Sequence, residues 1–486
     1  MELYDLFFIY VFLPLCLIAY FVAGWLDKRT ENNYGTSTTK ARNIVLVVFS
    51  LIFYAWGEPV WVFLLIGSAL FNWLIGQLAG ASQETARGKL VLAIGIVVNL
   101  GLLLGFKYTG FFIRNLNGIF GSTMTVPKII APLAISFYTF SAISYIIDCY
   151  WGKCEAQRSF FKVLLYLCMF PKLLCGPITR YGTVERELSE RSSTKEDICE
   201  GAMRAIVGLA KKILIANNLW TIVDTYFDGS IAGLSVLGTW FTVIAYTLYV
   251  YYDFSGYSDI AIGLGRMFGF RFDENFNYPF MCTSIAEFWQ RWHISLGTFF
   301  RDYLLYIPIF GRNFKYFNLF LVWFCTGMWH GASWNYIIWG LFFGVFIFIE
   351  QKIGKKRLKK LPLWWKHTYT KLLLIIGFGI FCFTDFGQLG QFLLNISGLS
   401  LFVNKAPFAD SLTWSSFVKN IILIAAAIIG CFPILPKIKN IVYKNRSHAV
   451  YASGRIIALV FCAALLITVS VLQVASTNSP FLYTNY

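Results

Sequence analysis

The sequence predicts an all-α, polytopic membrane protein, and three observations carry that prediction. Charged residues make up only 14% of the chain and hydrophobic ones 57%, where an ordinary soluble chain carries about 25% charged residues. So few charges cannot cover the surface of a soluble chain of 486 residues. Apolar runs of about 20 residues, the length that crosses a bilayer, recur along the whole sequence. The aromatic fraction is high, with 48 Phe, 27 Tyr and 16 Trp. Phe suits lipid-facing packing, and Trp and Tyr concentrate at membrane interfaces.

The first run, 6–26, has no basic segment before it and no small-residue cleavage site before Asp27. It reads as a spanning helix rather than a removed signal peptide. Further spans are expected at 44–57, 59–79, 91–106, 130–149, 233–251, 318–348, 371–386, 417–435 and 456–475. The region 160–227 differs. Its apolar pieces, 160–178 and 203–227, are broken by Pro171, Gly176, Pro177 and a charged stretch from Arg186 to Glu200. Such pieces suit re-entrant or interfacial helices, because irregular backbone at membrane depth survives only inside protein or along a wet cavity. The count is about 11 transmembrane helices plus re-entrant or interfacial ones. No internal repeat is visible, so an inverted-repeat transporter gains no support. The chain reads as one domain, 1–486, closed by a short tail, 476–486.

Net charge is +16, but the basic residues sit in short segments between apolar runs. Positive-inside orientation explains them, and nucleic acid is not an expected partner. The stretch 351–371 carries eight Lys/Arg, 387–416 carries one, 436–455 carries five and the tail 476–486 none. The two basic stretches are therefore expected in the cytoplasm and the tail outside. Lys28, Arg29, Lys40 and Arg42 put 27–43 inside as well. There is no C-x-x-C and no Cys/His cluster with zinc spacing, so no metal site is expected. Nothing reads as a tightly bound cofactor.

Residues 252–317 do not look like a pair of spans. Ionisable groups are dense there and interleaved with aromatics. Ser284 and Glu287 fit a capping box, and Phe288, Trp292, Leu296 and Phe299 follow at helical spacing. The reading is an amphipathic helix at an interface or lining a funnel. A plain interfacial helix with solvated charges would show the same periodicity. His293 lies on this segment. His330 lies near the middle of the apolar stretch 316–349, flanked by Gly327 and Gly331. An ionisable side chain at that depth is costly and marks a functional site unless it is a structural histidine bonded to a neighbouring helix. His367 and His448 sit in basic loops and are given no role.

Several segments together resemble the membrane-bound O-acyltransferase family. They are PLAISFYTFSAISYIIDCYWG (132–152), FPKLLCGPITRY (170–181), GLAKKILIANNL (208–219), DFSGYSDIAIGLGRMFGF (253–270), NFNYPF (275–280), FWQRWHISLGTFFRDYLLYIP (288–308) and TGMWHGASWNYIIWG (326–340). The likeness is to the bacterial branch that O-acetylates alginate and peptidoglycan, with the D-alanyl transfer protein of teichoic acid synthesis as a shorter cousin. It runs over nearly the whole chain.

The resemblance implies a helical bundle around a central tunnel and two paired histidines, His330 and His293. It implies a membrane acyltransferase that serves a cell-surface or secreted polysaccharide from the bacterial cell membrane. The acyl-thioester donor, acetyl-CoA in the acetylating branch, would lie on the cytoplasmic side, with membrane lipids around the bundle. Neutral imidazole can take a hydroxyl proton at neutral pH, which makes His330 the expected base. His293 would orient the donor or acceptor or stabilise developing charge. The chain ends PFLYTNY, which resembles the F-x-Y-x-x-F tail of these systems, with Tyr486 in place of the last Phe. Tyr483 would then carry the acyl group to a separate extracytoplasmic acetyltransferase of the SGNH type. An aromatic anchor at the outer interface is the simpler alternative for this tail. In FCFTDFGQ (381–388), Thr384-Asp385 stands where relatives often carry an arginine. Two other readings stay open: a relative that transfers D-alanine or acylates lipid or protein, and a transporter or channel using His330 as a proton relay.

Overall fold

The computed structural model describes residues 1–34, 38–306, 314–444 and 448–475. Among the described residues every regular element is helical. The helices used below are α1 (Leu13–Tyr34), α2 (Lys40–Gly57), α3 (Trp61–Gly80), α4 (Ala86–Lys107), α5 (Ile135–Tyr150), α6 (Lys195–Ala210), α7 (Val236–Met267), α8 (Ile285–Trp289), α9 (Ile294–Phe300), α10 (Lys315–His330), α11 (Trp334–Ile353), α12 (Leu363–Cys382), α13 (Phe386–Ile396), α14 (Ser411–Gly430), α15 (Ile434–Lys444) and α16 (His448–Ala475).

Eight described stretches are long and apolar enough to cross a membrane. They are Phe8–Glu31, Lys40–Gly57, Trp61–Gly80, Ala86–Lys107, Lys195–Phe227, Trp334–Ile353, Ser411–Gly430 and Ala452–Val474. The expected runs at 130–149, 233–251 and 371–386 are helical too, as α5, α7 and α12. α14 and α16 expose Ile422, Ile456, Ile457, Val460 and Ile467, side chains that suit lipid rather than water.

Two expectations change. The run 318–348 is not one span: it folds into α10 and α11, with the break at Gly331–Ser333. The piece 203–227 is not broken off either. It continues α6 through a π-helical turn, Lys211–Ala216, into Asn217–Phe227. The charged residues at 194–200 open this helix instead of interrupting it. Thr194 Oγ1 accepts the Asp197 N–H at 3.1 Å, and the Asp197 carboxylate accepts the Thr194 N–H at 3.2 Å. Such reciprocal capping satisfies two of the orphan donors at a helix start.

The chain divides into two compact units, one of Met1–Ile206 with Tyr257–Glu274, the other of Val207–Gly256 with Asn275–Tyr486. In the first, α5 is the central element, buried from Ile135 to Cys149. Where no hydrophobic force separates helix from lipid, small residues and polar pairs hold helices together. Asn72 of α3 and Asn99 of α4, both buried, exchange amide hydrogen bonds at 3.1 and 2.7 Å. Gly76 of α3 sits against the Tyr145 ring, where a Cβ would come within 2.5 Å. Buried Arg191 donates to the Tyr20 hydroxyl, the Asn43 amide oxygen and the Phe268 carbonyl at 2.9, 2.6 and 3.2 Å.

The second unit holds an aromatic core built from α7, α8, α10, α11, α12 and α13. α10 and α11 form a hairpin whose backbones touch. A Cβ at Gly327 would lie 2.3 Å from the Tyr336 carbonyl oxygen, and one at Gly340 2.2 Å from that of Trp323. Asp385 caps α13 by accepting the Gln388 N–H at 2.9 Å.

Candidate active site

His330 is the last residue of α10, so it stands at a helix C-terminus and not in mid-helix. The small residues that follow let the chain turn at once into α11. Aromatic rings surround the imidazole. Those of Trp329, Trp339 and Phe381 have centroids 4.9, 4.8 and 5.1 Å away, all near perpendicular to it. The side chain is buried. Such walls keep water away from the ring.

His293 does not lie on a continuous helix. The expected helix is split into α8 and α9, and His293 caps α9 with φ +44°. That left-handed conformation is uncommon for a residue with a side chain and persists where the surroundings fix it. Here the segment 275–277 does so. The Ile294 N–H donates to the Asn275 carbonyl at 3.0 Å, and the Asn277 N–H to the Arg291 carbonyl at 2.9 Å. Ser284 caps α8 as expected, accepting the Glu287 N–H at 3.0 Å. The Glu287 carboxylate turns to the Thr283 N–H and hydroxyl, both at 2.8 Å.

The Asn275 side chain fixes the tautomer of His293. Its Oδ1 accepts the Ser295 backbone N–H at 3.2 Å and the Ser295 hydroxyl at 2.9 Å. A backbone N–H can only donate, so this amide atom is an oxygen. The His293 Nδ1 that meets it at 3.1 Å must then carry the proton, which leaves the lone pair on Nε2. Nε2 is buried and has no hydrogen-bond partner among the described residues. Burial pushes the ring well below the ordinary histidine value, so it is held neutral. Phe254 of α7 meets the ring edge-to-face at 4.6 Å.

The two histidines belong to one site. The Trp329 indole lies 5.6 Å from the His293 ring and 4.9 Å from that of His330. Trp289 of α8 packs on Trp339 at 5.5 Å, so the segment carrying His293 also touches the wall of His330. The arrangement places two buried imidazoles among aromatic rings.

The family model described as membrane-bound O-acyltransferase matches residues 155–384, a range that includes both histidines. A probable alginate O-acetylase, AlgI, of Pseudomonas aeruginosa is 39% identical over 385 residues, covering 77% of this chain and 70% of the relative. The chain belongs to the membrane-bound O-acyltransferase family. The peptidoglycan O-acetyltransferase of Helicobacter pylori is 34% identical over 375 residues, covering 71% of this chain and 69% of the relative. The teichoic acid D-alanyltransferase of Bacillus subtilis is 30% identical over 279 residues, covering 53% and 68%. As a member of this family the chain is a multi-pass O-acyltransferase.

Tyr483 and the tail 476–486 lie outside the described residues. Sequence reasoning missed Asn275, although it opens one of the family segments. The signal was an amide side chain at the start of a short aromatic turn, followed by the Tyr278-Pro279 kink. It had no charge and no periodicity to draw attention.

Proposed function

We propose that this O-acyltransferase takes a short acyl group, acetyl, from a cytoplasmic thioester donor such as acetyl-CoA and passes it across the bacterial inner membrane for O-acylation of a cell-surface polysaccharide. The single observation that carries the reading is the pairing of two buried histidines about Trp329, one of them with its lone pair fixed on Nε2. The names of the relatives, which act on alginate, peptidoglycan and teichoic acid, support a polymer as the final acceptor.

In the transfer step a hydroxyl oxygen attacks the thioester carbonyl carbon. A C–O bond forms, the C–S bond breaks and the thiolate leaves. His330 takes the hydroxyl proton as general base and returns it to the thiolate. His293 can only accept at Nε2 while it stays neutral. That suits it to holding an amide N–H of the donor's pantetheine arm, not to donating to a developing oxyanion. The hydroxyl is the phenol of Tyr483, which then lies outside with the C-terminus. A separate extracytoplasmic acetyltransferase of the SGNH type moves the acyl group from the tyrosyl ester to the polymer.

Mass spectrometry of the C-terminal peptide tests this. A two-carbon ester on Tyr483 in cells carrying the native chain, absent in a His330→Ala variant, is the expected result. Unchanged polymer acetylation in a Tyr483→Phe variant would remove the relay. It would also bring back the transporter reading, in which the terminal tyrosine has no task.

A further inference from the structure

Glu350 lies near the end of α11 and is buried, 4% exposed. Its carboxylate takes two backbone N–H groups from another element, those of Ile285 and Ala286 at the start of α8, at 2.7 and 2.9 Å. The Tyr369 phenol of α12 bonds the same carboxylate. A buried carboxylate must be compensated by such donors or its desolvation is prohibitive. As a helix cap, however, it is unusual in origin. α8 already has its own capping residue, Ser284, which takes the N–H groups of Glu287 and Phe288. The remaining early donors of α8 are met by a side chain 65 and 64 residues away in sequence.

The location of the two ends gives the contact its meaning. α8 leads within four residues to His293, through turns closed by the Arg291 and Trp292 N–H groups on the Phe288 carbonyl, both at 2.9 Å. α11 carries Trp339 against His330 and is locked to α10 by Gly327 and Gly340. Between these points Trp289 packs on Trp339 and Phe343 at 5.5 and 5.0 Å. The carboxylate and the indole are thus two fixings between the segment of one histidine and the wall of the other.

We infer that Glu350 is a positioning residue for acyl transfer: it sets the place of His293 relative to His330. This rests on the proposed roles of the two histidines. Replacement by Gln keeps the shape, leaves one acceptor and turns an amide N–H₂ toward a backbone N–H. α8 then loses one fixing and His293 shifts, while the aromatic core stays intact. A misplacement of about 1 Å in an active site costs about 100-fold in rate.

The test is a mutant cycle in membrane vesicles that hold the full chain, with radiolabelled acetyl-CoA as the donor. Glu350→Gln is expected to lower turnover about 10- to 100-fold and to raise the KM for acetyl-CoA, because His293 holds the donor's arm, with the protein level unchanged. In a His293→Ala background the same substitution is expected to cost less than about twofold, because residues that act through one another are not additive. Native turnover in Glu350→Gln, or a full further loss in the His293→Ala background, overturns the inference. If Glu350→Gln does not accumulate, Tyr369→Phe takes its place in the cycle. It loosens the same carboxylate, and the same coupling to His293 is required of it. If His293→Ala alone leaves turnover at the native level, the histidine assignment falls instead, and the two failures are told apart.

Discussion

Asn275 Oδ1 accepts the Nδ1 proton of His293, and so a neutral side chain 18 residues upstream decides which nitrogen of the imidazole is basic. The same oxygen is held in place by two bonds from Ser295. An Asn275→Ala change removes the tautomer lock and the cradle of the left-handed turn, and turnover is expected to fall about 10- to 100-fold. Asn275→Asp is the sharper test. A carboxylate beside Nδ1 favours the imidazolium, so the histidine pKa rises. The protonated ring has no lone pair at Nε2, and activity is then lost on the acid side at a higher pH than in the native enzyme. A pH–rate profile of the two proteins checks the direction. An acid limb that stays in place would show that His293 has no part in the reaction.

The α10–α11 hairpin depends on glycine. An added Cβ at Gly327 meets the Tyr336 carbonyl oxygen at 2.3 Å, and one at Gly331 meets the Tyr336 ring at 2.4 Å. Neither backbone nor a packed ring gives way cheaply, and overpacking costs about 1–3 kcal/mol. Gly327→Ala is expected to lower thermal stability and activity together. Gly101→Ala and Gly105→Ala, where nothing lies within 4 Å, are the matched controls and are expected to be neutral. Melting of the detergent-purified proteins separates the two groups.

Lys212 and Asp253 form a buried ion pair at 2.6 Å, with side chains 2% and 0% exposed. The pair joins the π-helical turn to α7, one residue before the Phe254 that packs on His293. Removing one partner takes the counter-ion from a buried charge, at about 3–5 kcal/mol, whereas replacing both by apolar residues is often tolerated. Lys212→Met or Asp253→Leu alone is therefore expected to unfold or deplete the protein, and the double variant to recover much of the yield. Expression levels in membranes read this directly. A double variant no better than the singles would mean that the charges themselves are needed.

Much of the fold was legible because long apolar runs have one physical outcome in a membrane, and α1 to α4, α14 and α16 fall where those runs lie. The breaks were harder to read. Gly331, Ala332 and Ser333 sit inside an apolar run and carry no charge, so the division into α10 and α11 leaves little trace in hydropathy. Phe288, Trp292, Leu296 and Phe299 keep helical spacing across a point where the helix is interrupted, because all four are buried on either side of it. His330 stood out by its cost at depth, and His293 only through the family resemblance. Their fixings did not: Asn275 is uncharged, and Glu350 served only to mark the end of an apolar stretch. What fixes a side chain in place comes from distant segments, and a single sequence does not pair them.

The starts of α7 and α14 are tied by Asp410, and this tie gives the unit a pH dependence. Asp410 accepts the Ser235 hydroxyl, the Thr413 N–H at 2.7 Å and the Thr413 hydroxyl at 2.8 Å. Partial burial pushes its carboxyl up, but these bonds outweigh it and hold the group below the usual aspartate value. A depressed folded-state pKa means stability that is present in full above the unfolded value, about 3.9, and lost as pH falls through the folded one. Loss of a helix-capping carboxylate to alanine costs about 1 kcal/mol. At pH 6 Asp410→Ala is therefore expected to melt a few degrees below the native protein. As the pH drops below about 4, the native carboxylate takes up its proton and the two melting temperatures converge. Tryptophan fluorescence melts across this range measure the gap. A gap that stays constant with pH would mean that the bonds to Asp410 do not depend on its charge.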